Sequence, residues 1–159
     1  HEAGHLLFCR LFRLAVFDVC FFRFGNPAGY VVHEETDRLR TAFFVGMGPF
    51  FLNTALCILF CLPAFIPIWE LEAVDPRAYF SYWLGLSIGM HAFPSSHDLS
   101  NIWRLLLPAV RAWSVPALLS FPLVSALYVA NFLRFFWADL GYGIAVGTLV
   151  PLAVFRWFV

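Results

Sequence analysis

Thr41 to Trp69 reads TAFFVGMGPFFLNTALCILFCLPAFIPIW, 29 residues without a charged side chain. A helix needs about 20 such residues to cross the hydrocarbon core of a bilayer. The stretch is therefore long enough to span, although Gly48-Pro49 and Pro63 interrupt it. Outward from it, Ala78 to Pro94 is a second apolar stretch, short for a full crossing. Ala112 to Leu133 is a third and Leu140 to Phe155 a fourth. His1 to Leu14 would be the remaining half of a fifth. The expected fold is an all-α membrane protein, a polytopic helical bundle of about four to five membrane helices.

Composition agrees. The chain has 159 residues, 62% of them hydrophobic and 13% charged, with 20 Phe and 6 Trp. Soluble domains sit near 45–50% apolar and about 25% charged. The net charge of zero leaves no basic footprint, so no nucleic-acid partner is expected. Every basic residue is Arg, which excludes a lysine Schiff base or amine nucleophile. The four cysteines, Cys9, Cys20, Cys57 and Cys61, read as small apolar packing residues. The first residue is not Met and HEAGH fills the first turn, so further sequence is expected ahead of it, including the rest of that helix.

Two segments read differently from the spans. Val16 to Phe22 and Gly29 to His33 carry β-branched and aromatic residues on either side of Gly25-Asn26-Pro27-Ala28-Gly29. That pattern predicts a short β-hairpin within 16–35, following the first helix. Asp98 to Leu107 reads as an amphipathic helix, with Leu99, Ile102, Trp103 and Leu106 on one side. Gly85 with Gly89, and Gly143 with Gly147, would let helices approach closely in lipid. The whole chain reads as one integral-membrane domain, with a core over 1–107 and two further membrane helices over 112–159. If the spans alternate, Arg10, Arg13, Arg23, Arg38, Arg40, Arg104, Arg111 and Arg156 share one side. Arg77, Arg134 and the acidic loop Glu70 to Asp75 take the other. The positive-inside rule then puts the hairpin and the Asp98 helix in the cytoplasm, in a multi-pass protein.

The chemistry starts at His1-Glu2-Ala3-Gly4-His5, an instance of HExxH. On a helix the two histidines fall at i and i+4, so both imidazoles leave one face and can ligate Zn²⁺. Glu2 stands beside them as a base rather than a ligand. In an apolar helix an unpaired Glu is expensive, which argues for a function over chance. A catalytic zinc site needs three protein ligands and an open position. The rest of the chain offers Asp18, His33, Glu34, Glu35, His91, His97, Asp98 and Asp139. Asp98 is the first choice, because Pro94-Ser95-Ser96 would break the preceding helix and turn a carboxylate inward. His97 and His91 stand behind it. The competing role for Asp98 is to cap the helix that starts at Leu99, and for His91 and His97 it is interfacial hydrogen bonding. His33, Glu34 and Glu35 read as a solvated loop.

The order HEAGH, a glycine-rich hairpin, Gly48-Pro49-Phe50-Phe51-Leu52-Asn53, then Pro94 and Asp98, resembles the site-2 protease family of intramembrane zinc metallopeptidases. The resemblance covers 1 to about 103. In that family HExxH is followed by a Gly-Pro-x-x-Asn helix start and later by Asn-x-x-Pro…Asp-Gly, whose Asp is the third zinc ligand. Here Pro49 to Asn53 is one residue longer, His91 stands where Asn is usual, and Leu99 stands where Gly is expected. The chain thus resembles a divergent branch.

The resemblance implies an intramembrane zinc metalloendopeptidase. It would cleave a peptide bond within or next to a transmembrane helix of a membrane-protein substrate, from a site accessible to the cytoplasm. His1, His5 and Asp98 would hold the metal and Glu2 would be the general base, with Asn53 and His91 positioning substrate. The hairpin could pair with an extended substrate segment. The alternative is a non-peptidase protein of the same fold, either zinc-binding or zinc-transporting, or a catalytically inactive regulatory relative.

Overall fold

The computed structural model describes residues 1–158, with side chains through Trp157. It is mostly helical. In chain order the elements are α1 (Glu2–Leu11), β1 (Val16–Cys20), β2 (Tyr30–His33), α2 (Leu39–Gly46), α3 (Gly48–Phe65), α4 (Pro76–Met90), α5 (Ser96–Arg111), α6 (Val115–Phe132) and α7 (Ala138–Phe158). A π-helical turn, Ile66–Glu70, extends α3, and a 3-10 turn, Leu133–Phe136, extends α6.

Among the described residues three helices are long and apolar enough to cross a membrane: Gly48–Glu70, Val115–Phe136 and Ala138–Trp157. The 15-residue α4 would rise only about 22 Å, short of the hydrocarbon core, as its shorter uncharged stretch implied. The long stretch Thr41 to Trp69 is not one helix. α2 ends at Gly46, and Gly48-Pro49 starts α3, where a proline in the first turn forfeits no intrahelical bond. Pro63 and Pro67 sit around the change to π geometry at the far end, where missing N–H groups loosen the α ladder.

The chain forms two compact units. The first joins His1–Phe50 to Phe93–Phe132; the second joins Phe51–Ala92 to the chain from Leu133 onward. Within them α6 packs on α5 and α7 packs on α4.

In the first unit β1 and β2 pair antiparallel, Cys20 opposite Tyr30 and Val16 opposite His33, with a bulge between Val16 and Asp18. The hairpin expected from the turn signal is present. Its exposed tip is ordered by Arg23, whose Nε donates to the Pro27 carbonyl while its guanidinium lies over the Tyr30 ring. Tyr30 also donates its hydroxyl to Asp18, and that bond to a carboxylate raises the phenol's pKa. α5 is longer than the amphipathic helix expected over 98–107, and its Leu99, Ile102 and Leu106 are fully buried. α1 rests closely on the start of α3: a Cβ on Gly4 would stand 2.5 Å from the Pro49 nitrogen, and the Phe8 ring lies against Gly48.

In the second unit the glycine pairs do the expected job. A Cβ on Gly89 would come within 3.1 Å of the Gly143 Cα, and Gly147 faces Leu86 and Cys61. Polar pairs cross the same faces, Thr54 with Tyr142 at 2.6 Å and Tyr82 with Thr148 at 2.7 Å. In lipid such bonds and close approach replace the hydrophobic drive between helices. Cys57 and Cys61 are free and buried there, in the packing role read from sequence.

The α1–α3 contact yields a stability test. Gly4→Ala or Gly48→Ala should cost about 1–3 kcal/mol, since backbone cannot yield to the added methyl. Gly141→Ala, with nothing within 4 Å, should be neutral or stabilising. Thermal unfolding in detergent, read by circular dichroism, separates the two cases.

Candidate metal-binding site

α1 presents the HEAGH face. His1 is the N-cap of α1 and His5 lies one turn on, their rings 5.2 Å apart edge to face. Gly4 lets α1 lie against Gly48-Pro49, and in the same unit His5 meets α2: its Nδ1 is 2.9 Å from the Val45 carbonyl oxygen. A carbonyl only accepts, so Nδ1 carries the proton. In a neutral imidazole that leaves the Nε2 lone pair free to ligate, the arrangement a metal-binding histidine needs.

Nε2 of His5 faces Asp98 Oδ2 at 3.5 Å. Asp98 does not cap a helix beginning at Leu99. Ser95 is the N-cap of α5, and Asp98 is the third helical residue in a reciprocal capping box. The Ser95 hydroxyl donates to Asp98 Oδ2 at 2.6 Å, and the Ser95 N–H donates to the same oxygen at 3.0 Å. The Asp98 N–H returns a bond to the Ser95 hydroxyl at 3.1 Å. The two roles weighed for Asp98, helix terminus and ligand, are thus served by one side chain. All of these bonds fall on Oδ2, so Oδ1 keeps its lone pairs. Burial opposes ionisation of Asp98, but when His5 is protonated its hydrogen bond and charge, with the bonds from Ser95, outweigh it and hold the carboxyl below its ordinary range; ligation through Nε2 requires that proton to leave.

His1, His5 and Asp98 each offer a ligand atom, and these atoms all lie within 4.8 Å of one another. Two ligands of one tetrahedral ion with bonds of about 2.0–2.2 Å stand about 3.3–3.6 Å apart. His5 and Asp98 are already at that spacing. Two imidazoles and one carboxylate make a donor set suited to Zn²⁺. Glu2, on the same turn, has no hydrogen bond or ion pair among the described residues. Its Cγ is covered by the hairpin: a Cβ on Gly29 would stand 2.7 Å from it.

The other candidates are not among the three clustered ligands. Asn53 is buried in the second unit, where its Nδ2 donates to the His91 carbonyl at 2.7 Å. The His91 Nδ1 is 2.8 Å from the Ser87 carbonyl. His97 pairs with Asn101, His33 with the Glu34 carbonyl, Asp18 with Tyr30 and Asp139 with Arg134. Sequence reasoning missed two participants. Ser95 was legible, since Ser-x-x-Asp ahead of an apolar run is a capping signature. The Val45 carbonyl had no signal, because any residue supplies one.

Comparison with protein-family models, curated proteins and solved structures returned no match for this chain.

Removing the cap tests the local geometry. Ser95→Ala should destabilise the protein by about 1 kcal/mol, because it removes the hydroxyl's bond to Asp98 Oδ2 and the cap on the Asp98 N–H while the Ser95 N–H still donates to Oδ2. Chemical denaturation measures it. Ser95→Thr should restore most of the loss.

Proposed function

We propose that the chain is the membrane-embedded catalytic part of a zinc metalloendopeptidase that cuts a peptide bond in or beside a transmembrane helix. The observation that carries the reading is the approach of the His1, His5 and Asp98 ligand atoms to within 4.8 Å on helices of an apolar chain. Bound zinc would supply Lewis-acid polarisation of the scissile carbonyl and a lowered pKa for the attacking water. His5 is presented through Nε2 because Val45 holds its other nitrogen. Asp98 is presented because Ser95 holds Oδ2. Glu2, unpaired in the first turn of α1, takes the proton from water and returns it to the leaving amine.

A substrate helix must be extended before its backbone is reachable. The two-stranded sheet can pair with such a segment along an open edge. Its Gly29 lies on Glu2, so a paired segment would run beside the base. The Asn53 Nδ2 donates to the His91 carbonyl, and a part for these two residues in positioning substrate belongs to the same proposal.

A multi-pass arrangement is part of the proposal. Trp113 and Trp137 bracket the span Val115–Phe136, as interfacial aromatics do. The arginine bias supports a cytoplasmic position for the hairpin and α5.

In proteoliposomes with a single-span substrate, Glu2→Gln should retain zinc and lose cleavage by about 10²–10⁴-fold. His5→Ala should lose zinc and cleavage together. Undiminished cleavage by Glu2→Gln, or by metal-free protein, would sink the mechanism. Zinc binding with no cleavage of any single-span helix would favour the inactive relative.

A further inference from the structure

Beside the cluster is a cavity of about 70 Å³, bounded by the exit of β2, by α2 and by α5. A single water needs about 10–15 Å³, so the space suits the end of one side chain. Asp98 forms part of the wall, and so does Val45, whose carbonyl holds His5. An occupant would therefore sit next to the proposed reaction centre. Val45, Ala42 and Leu105 provide an apolar surface for methylenes.

Two further lining residues are charged and opposite in sign, Glu35 and Arg104. Neither has a hydrogen bond or ion pair among the described residues, and they do not pair with each other. Each class of occupant meets them differently. With Asp98 already engaged by His5 and Ser95, an acidic side chain satisfies Arg104 and is repelled by Glu35. A basic one satisfies Glu35 and is repelled by Arg104. An apolar one strips water from both charges and returns nothing. A carboxamide offers an acceptor oxygen to the guanidinium and an NH₂ donor to the carboxylate, so it satisfies both.

We propose that this cavity is a specificity subsite for an Asn or Gln side chain of the substrate, held between Arg104 and Glu35. The proposal rests on the peptidase reading. It also adds a selection rule: the substrate would carry a carboxamide residue near the cleaved bond, in an otherwise apolar helix.

The test uses one apolar helical peptide carrying Gln, Glu, Lys or Leu at a single position, in nanodiscs. Binding by fluorescence anisotropy and cleavage are measured in parallel. The wild-type chain should prefer Gln over Leu by about tenfold or more. Arg104→Glu should move the preference to Lys, and Glu35→Arg should move it to Glu. The double exchange Arg104→Glu with Glu35→Arg should restore the Gln preference, and the switched preference of each single variant itself shows that it folds. Equal effects on all four peptides, or no effect, would overturn the subsite. Shifted binding without any cleavage would uphold the subsite and overturn the peptidase. Cleavage of all four at one rate, in every variant, would do the reverse.

Discussion

His5 stands where three helices meet, with one ring nitrogen on the Val45 carbonyl of α2 and the other facing Asp98 of α5. A buried imidazole has to satisfy both nitrogens or carry a desolvation penalty. That requirement ties the position of α1 to those of α2 and α5. It is met only because Gly4, the preceding residue, lets α1 lie directly on the Gly48-Pro49 backbone. A side chain at position 4 would hold α1 away from that backbone and shift the ring with it. Packing without side chains on one turn therefore sets the chemistry available on the next residue.

Apolar surface poses a second constraint. On α6 and α7, Leu119, Val129 and Leu149 are each at least 59% exposed, and only 17% of the apolar stretch of each span is buried. A soluble monomer rarely tolerates contiguous patches of this kind, whereas a bilayer accepts them without cost. α5 behaves oppositely: it buries a strip of Leu99, Ile102 and Leu106 and keeps Asn101 and Arg104 outward.

Much of this was legible residue by residue. The hairpin followed from β-branched runs around Gly25 to Gly29, since period-two patterning and turn chemistry are local properties. The glycine pairs at 85, 89, 143 and 147 pointed to close helix contact, and α4 meets α7 there. HEAGH put two imidazoles on one face because i,i+4 spacing is fixed by helix geometry. Less local features did not show. α5 begins at Ser96 because Ser95 caps it, a boundary that an apolar-period reading placed at Asp98. The grouping of α6 with α5, and of α7 with α4, depends on tertiary packing that uniformly apolar helices do not encode by pattern. Val45 contributes through its carbonyl, which no side-chain reading can find. The cavity between Glu35 and Arg104 joins residues far apart in sequence, and Glu35 by itself looked like a solvated loop residue.

The central claim is that His1, His5 and Asp98 bind one zinc ion. X-ray absorption at the zinc K-edge of metal-loaded protein tests it directly. The account predicts one zinc per chain, with nitrogen and oxygen scatterers at about 2.0–2.2 Å and an imidazole signature that falls in His5→Ala. Sulfur scattering at about 2.3 Å would place the metal on cysteine instead and contradict the account, as would a chain that retains no zinc.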